Sequence, residues 1–434
     1  MSESLLPSSA DFSSKLPQLP DGTTSTLMSI QSTNGISFKQ GQTIQFDLPN
    51  RGFLDGKSVF IRYKVIYTSA GTAGVIKRKP VYTNFVRLDE FIGSVPVNSI
   101  YQYNQVANMW VDTNCNAADV YGQQASWGLT QTLAINDLDG VTLPTVSAAN
   151  NFYLSAPLVG SFLQGADKLI PLGAMAPIRI QLTLDSIANI AVTSTNVTDF
   201  EIVQPELCFS CIDFGPAADA AIINVAPKIY LKTQGWANSA QGLASSTSGF
   251  QTLVFNHRYE SIENLYFLST SSSTTKAVNT WGDSFNPLGT AGVNSSIQIQ
   301  IDNKVYPQLP INNGTGGLTA TQQYLRECVG QICDQRNTMS IFNTNFNQYA
   351  GDSTASTADA PAKFVVGFPL SRINAPSPYS AVSLMSGVSA RSTPINVLLN
   401  IGTAFNSAMV FNLIAQYTML IEIDTMTKQV SVIC

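Results

Sequence analysis

The strongest constraint in this chain is a two-residue alternation of apolar and polar side chains. In "IRIQLTL" (178–184), Ile178, Ile180, Leu182 and Leu184 point one way, and Arg179, Gln181 and Thr183 the other. A segment with that period buries one face and leaves the other wet or free for contact, as strands of packed antiparallel sheets do. "TIQFDL" (43–48), "VFIRYKV" (59–65) and "IQIQI" (297–301) repeat the pattern. The closing segments "LIEID" and "QVSVI" read as a hairpin across "TMTK". Helical spacing is rare. It is predicted for 98–110, through Ile100, Tyr103, Val106, Ala107 and Trp110, and for 319–333. In the latter, Thr319 and Gln322 form a capping-box pattern, and Tyr324, Leu325, Cys328, Val329 and Ile332 make one apolar face.

A chain of 434 residues suits about two domains of roughly 200 residues. "GPAADAAIINVAP" (215–227) reads as a short connecting helix, with Pro216 near its start and Pro227 ending it. The expected division is an extended N-terminal arm over 1–24, a first sandwich over 25–214, the connecting helix over 215–227, and a second sandwich over 228–434. A weak echo links the halves. "GQTIQF" (41–46) and "GFQTLVF" (249–255) share their order of residues. Each precedes a polar turn and a second apolar strand, "KSVFIRY" or "IENLYFLST". A duplicated β-sandwich is the economical reading. The Ser/Thr/Gly/Asn-rich segments 269–280, 312–317 and 350–362 read as its surface loops.

Composition narrows the function. Charged residues are only 12%, against about 25% in ordinary soluble proteins, so the surface is uncharged and polar or faces other protein. A net charge of −5 gives no global attraction for nucleic acid. The first 26 residues hold one Lys and no Arg, so this arm cannot neutralise phosphates. "MSESLLPSSADF" lacks the basic and apolar regions of a secretory signal, and "MVFNLIAQYTMLIEI" is broken by Asn412, Gln416 and Glu422. Six cysteines without a secretory signal point to reduced thiols, and give the sequons at Asn196, Asn294 and Asn313 little weight.

The residues that could carry chemistry do not converge. Cys208 and Cys211 form a CxxC, but Cys328 and Cys333 lie more than a hundred residues away at another spacing, so buried thiols are expected. "NDLDG" (136–140) opens like a calcium loop at Asp137, Asp139 and Gly140 but lacks the closing glutamate, and reads as an Asp-Gly turn. "KRK" (77–79) could serve nuclear import or contact a phosphate, but reads as a solvated loop. Asp89 and Glu90 are neighbours on a strand and must diverge. His257, the single histidine, stands beside Arg258 where "QTLVF" gives way to a turn, with no nucleophile or metal partner to pair with it. It is expected to be structural or at the surface. The expectation is no catalytic, cofactor-binding or metal-ligating residue, no cofactor and no enzyme.

The ordered set of landmarks carries a resemblance. In the first half it rests on "FDLPNRGFLDGKSVFIRYKV" (46–65), "LIPLGAMAPIRIQLTL" (169–184) and "FEIVQPELCFSCIDFGPAADAAI" (200–222). In the second it rests on "FNHRYESIENLYFLST" (255–270), "IQIQIDNKVYPQLPI" (297–311), the 319–333 helix and "AQYTMLIEIDTMTKQVSVI" (415–433). Together these resemble the double jelly-roll major capsid proteins of tailless icosahedral DNA viruses, most of all the polinton-like virus, virophage and adintovirus branch. Many relatives are longer, with larger outer loops.

The resemblance implies an all-β chain of two consecutive eight-stranded jelly rolls with a few short helices. Three chains would make a pseudo-hexameric capsomer, and capsomers would tile an icosahedral virion shell around a DNA genome, assembled inside the host cell. The implied partners are other copies of the chain, with penton and minor or cement capsid proteins. The N-terminal arm would lie on the inner side without strong nucleic-acid binding; an internal membrane occurs in some relatives. The rival from another class is a secreted or surface β-sandwich that binds glycans as an adhesin. It would gather aromatics at one loop end, whereas Trp110, Trp127, Trp236 and Trp281 are scattered. A hydrolase using Asp89, Glu90, Asp137 and Asp139 lacks a sensibly spaced pair. A single-jelly-roll RNA-virus coat protein lacks its basic arm.

Overall fold

The computed structural model describes residues 22–69, 75–77, 79–114, 126, 140–142, 150–191, 197–215, 227–271, 295–312, 323–328, 365–371, 385–402, 404 and 408–434. Alternation becomes strand almost wherever it was read. The first half begins with β1 (Thr24–Gln31), β2 (Ser37–Lys39), β3 (Thr43–Asp47), β4 (Phe53–Leu54), β5 (Phe60–Ser69) and β6 (Val75–Lys77). It continues with β7 (Phe85–Ile92), β8 (Val95–Tyr101), β9 (Gly140–Thr142), β10 (Asn150–Pro157), β11 (Ile170–Pro171), β12 (Ile178–Leu184) and β13 (Val197–Asp213). The second half holds β14 (Lys228–Leu243), β15 (Gly249–Phe255), β16 (Ile262–Ser271), β17 (Ser296–Ile301) and β18 (Lys304–Asn312). It ends with β19 (Val366–Pro369), β20 (Ile395–Ile401), β21 (Met409–Asp424) and β22 (Val430–Ile433). Helices α1 (Pro80–Thr83), α2 (Tyr103–Asn114), α3 (Phe162–Gly165) and α4 (Ile187–Ile190) fill turns of the first half.

Two sheets face each other in each half. In the first, β1, β13, β5 and β10 are neighbours in one sheet, and β3, β12, β7 and β8 in the other. In the second, β14, β21, β16 and β19 form one sheet, and β15, β20, β17 and β18 the other. Counting the eight principal strands of either half in chain order gives the same sheets, 1-8-3-6 and 2-7-4-5. That is the double Greek-key order of a jelly roll, with every pairing antiparallel. The chain is the expected pair of eight-stranded jelly rolls. The echo between 41–46 and 249–255 falls on β3 and β15, the second principal strand of each.

The cores follow from the alternation. Ile44, Phe46, Leu88, Ile180 and Leu182 from one sheet meet Ile61, Tyr63, Val65 and Leu207 from the other, all buried. In the second half Leu253, Phe255, Ile299, Ile395 and Val397 face Leu265, Phe267, Leu413 and Ala415. Each such side chain contributes about 1.5–3 kcal/mol, less for alanine. The long connections fall at matching places, over 102–149 and 313–365, between the fifth and sixth principal strands. Tyr67, near the end of β5, pairs with Asn150 at the start of β10, and Phe267 on β16 pairs with Val366 at the start of β19. In each sandwich, therefore, the connections after its third and fifth strands leave from the same end.

The outward faces of the two four-stranded sheets differ in chemistry. In the first half Arg179 pairs with Asp47 at 3.0 Å and Arg87 with Asp89 at 2.8 Å. In the second, β15, β20, β17 and β18 carry no charged residue except Lys304 at one edge. Phe250, 85% exposed, stands on this face with Val254, Leu398, Asn396, Asn400, Gln298 and Gln300.

Some expected elements shift. Residues 98–101 belong to β8, because Asn98 pairs with Glu90 and Ile100 with Leu88 in the sheet. Gln102, with a left-handed φ of 51°, breaks the strand, and the helix expected over 98–110 runs over Tyr103–Asn114. Within 319–333, residues 323–328 are helical, with Leu325 and Cys328 buried. The closing hairpin forms as expected, with Leu420 opposite Ile433. The connecting helix, the arm up to residue 21, and the loops over 272–280, 313–317 and 350–362 lie outside the described residues. The arm was expected to reach residue 24, but Thr24 already pairs with Asp213 in β1.

Candidate functional site

The two sandwiches meet along β14. Among the described residues this strand is an edge of its own sheet, bonded only to β21, so one row of its backbone groups needs other partners. The first sandwich supplies partners for two of them, and side chains of the strand add further bonds. The Asp167 amide donates to the Lys232 carbonyl at 3.2 Å, and the Trp236 amide donates to Asn98 Oδ1 at 3.4 Å. Asn238 Nδ2 donates to the Tyr101 carbonyl at 3.3 Å and to Gln102 Oε1 at 3.1 Å, and the Thr233 hydroxyl donates to the Phe162 carbonyl. The approach is close enough to require glycine. A Cβ on Gly165 would lie 2.6 Å from the Gln234 nitrogen. Beside this contact the Trp236 ring stacks on Tyr266, with centroids 5.7 Å apart. A cleft of about 330 Å³ opens here, lined by Lys57, Trp110, Ser161, Gln164, Gln234 and Trp236 among others.

Glu90 anchors the first sandwich's side of the junction. It is fully buried, and its carboxylate accepts from Asn98 Nδ2 at 2.8 Å, from the Phe162 amide at 3.0 Å and from the Ser161 hydroxyl. Asn98 Nδ2 also donates to the Gly160 carbonyl at 2.9 Å. Burial pushes the Glu90 carboxyl up to about 7, and the three hydrogen bonds only partly offset that rise. Nothing in the composition announces this residue. The register of β7 does, because Leu88, Glu90 and Ile92 alternate on the inward side.

The candidate residues read from the sequence stay apart. His257 is buried, and its Nε2 donates to the Leu413 carbonyl at 2.8 Å and lies 3.0 Å from the Ser239 hydroxyl. Burial holds its pKa below the usual imidazole value, so it is a neutral core residue bridging two strands. Cys208 and Cys211 lie on β13 as buried free thiols, contacting the Ser29 hydroxyl and the Arg51 carbonyl respectively. Cys328 is buried and free in the 323–328 helix. Asp89 and Glu90 diverge as expected: Asp89 bonds Arg87 and Ser99 on the outward face. Trp110 borders the cleft and Trp236 lies within the junction.

One expectation fails. Lys79 of the "KRK" triplet is not in a solvated loop but wholly buried, with φ of 50°, where the chain turns into Pro80 and α1. Arg78, Asp137, Asp139, Cys333, Trp127, Trp281 and the three sequons lie outside the described residues. Among the described residues no cluster of three or more His, Cys, Asp or Glu side chains could hold a metal. No helix among them is long and apolar enough to cross a membrane.

No family model and no curated protein matches this chain. Solved structures do. One is the crystal structure of PBCV-1 VP54 fitted into a reconstruction of the virophage Sputnik. It shares 13% identity over 97% of this chain and 98% of its own, with a TM-score of 0.61. The Faustovirus major capsid protein matches at 10% identity over 95% and 92%, with a TM-score of 0.60. The mavirus major capsid protein matches at 11% over 98% and 93%, with a TM-score of 0.53. End-to-end coverage of both chains, with the strand order above, makes this protein a double jelly roll of the kind these major capsid proteins adopt.

Proposed function

We propose that the chain is a major capsid protein, a structural protein rather than an enzyme, located in the capsid shell of a virion. The observation that carries this is an asymmetry between two equivalent edges. β14 opens the second sandwich, and its free edge is covered by the first. β1 opens the first sandwich, and among the described residues it is bonded only to β13. Its sequence "TSTLMSIQ" has neither charge nor proline to guard it, and Leu27 is 67% exposed. A second sandwich from another copy, seated on β1 as the first sits on β14, would repeat the internal contact head to tail. Such heterologous contacts close into a ring when the rotation from one chain to the next divides a full turn, and a one-third turn gives three chains. Three chains would then present six similar sandwiches, the pseudo-hexagonal capsomer that the resemblance implies. The long connections at one end of each sandwich would share one side of the ring.

Capsomers of this kind would tile an icosahedral shell around a DNA genome. The weakly charged outer surface suits side-by-side packing, and penton and minor or cement proteins would complete the shell. Solution mass by light scattering, with negative-stain images of the same peak, tests the reading. A species of about 140 kDa, three times 46.7 kDa, with a hexagonal outline is the expected result. A monomer that stays monomeric at high concentration would overturn it.

A further inference from the structure

We propose that Glu90 is a proton-operated latch between the two sandwiches: when protonated it holds Asn98 and the 160–165 loop against β14, and when ionised it loosens that join.

The geometry places the carboxyl at the centre of the contact. Its partners Asn98, Ser161 and Phe162 belong to the segments that reach β14, through Asn98 Oδ1 to the Trp236 amide and through the Phe162 carbonyl to Thr233. All three donors are neutral. The titratable or charged groups around it are Asp89 on its own strand, Tyr103 from α2 and Tyr417 from β21, with Lys57 bordering the cleft beside Ser161. Asp89 has the same sign as an ionised Glu90. Burial drives both tyrosines well above the usual phenol value, so neither changes charge near neutrality. Among the described residues no cation pairs with Glu90. With a proton on Oε1, Glu90 can itself donate a hydrogen bond to the Ser161 oxygen, whose own hydrogen then turns away, while Asn98 and Phe162 still donate to Oε2.

The second sandwich supplies an internal control. In the first, Phe46 pairs with Ile180 and Ile180 with Glu90. In the second, Phe255 pairs with Ile395 and Ile395 with Ile301. The same place therefore holds a carboxyl in one jelly roll and isoleucine in the other. The fold itself does not call for an acid there; the acid occurs where a sandwich meets β14. The folded protein holds this proton more tightly than a free carboxyl does. The latch is therefore firmest in acid, weakens as pH rises from about 4.5 to about 7, and stays weak above.

Hydrogen–deuterium exchange of the full chain at pH 5.5 and 8.5, corrected for the intrinsic rate, tests this in peptides covering 158–167 and 230–238. The wild type should lose protection there on the order of tenfold or more at the higher pH, while Glu90→Gln, which mimics the protonated form, should change little. An equal pH response in both proteins overturns the proposal. Carboxyl NMR of wild-type protein labelled at glutamate gives a reading independent of the variant. A glutamate titrating near 7 supports the latch, and none titrating above about 5.5 overturns it.

Discussion

Phe46 and Phe255 occupy one place in two different sandwiches. Each lies at or next to the end of the second principal strand, each is wholly buried, and each lies opposite an isoleucine of the seventh, Ile180 or Ile395. The two cores are thus built on the same plan around an equivalent ring. Replacing either phenylalanine by alanine should cost about 3–5 kcal/mol. Guanidinium unfolding should show the loss, and where the sandwiches melt separately each variant should move a different transition.

The close approach of Gly165 to β14 sets a second expectation. Gly165→Val should push the 160–167 loop off the Gln234 backbone and destabilise the chain by about 1–3 kcal/mol. Limited proteolysis should find new cleavage near residues 160–167, whereas the same substitution at Gly41, where a Cβ meets nothing within 4 Å but φ is +78°, should cost only backbone strain and open no such site.

If β1 is the contact edge, a lysine there should act on assembly and spare the fold. Leu27→Lys changes a side chain already mostly in water, so the unfolding midpoint should move by less than about 0.5 kcal/mol in stability. Light scattering should then find monomer where the wild type forms the larger species. Unchanged trimers would move the contact elsewhere.

His257 and Glu90 should give opposite pH slopes. Burial keeps the His257 imidazole below its free value of 6.5, so the unfolded chain takes up a proton first on acidification. Its contribution to stability is complete above about 6.5 and is lost as pH falls towards the lower folded value. His257→Gln should flatten the acid side of a thermal-stability profile, and Glu90→Gln the side between about 4.5 and 7. His257→Ala should cost about 1–3 kcal/mol, because it removes a buried side chain together with its hydrogen bond to the Leu413 carbonyl.

Much of this architecture was legible in the sequence. Side-chain alternation is a local property, and β12, β17 and the closing hairpin follow from it directly. The echo between 41–46 and 249–255 identified matching strands because burying equivalent faces demands similar residues. The boundary between β8 and α2 was less clear: Ile100 satisfies both periods, and only the pairing of Asn98 and Ile100 with β7 decides between them. Lys79 looked solvated because a charged triplet says nothing of a turn that carries one member inward. The junction was hidden for a related reason. Asn98, Ser161 and Trp236 are far apart in the chain, and nothing local marks them as neighbours. Glu90 alone left a trace, an acid in an inward register between Leu88 and Ile92.

The unlike outward faces of the two four-stranded sheets give the molecule a mixed response to electrolyte. The pairs Arg179–Asp47 and Arg87–Asp89 include side chains roughly half in water, and ions at 0.1 M screen such charges within about 10 Å. The face of Phe250, Val254 and Leu398 has no ion pair to screen, its sheet carrying only Lys304 at one edge, and strongly hydrated salts such as sulfate drive apolar surface out of water. As such a salt is added, contacts made through the first face weaken while contacts made through the second tighten.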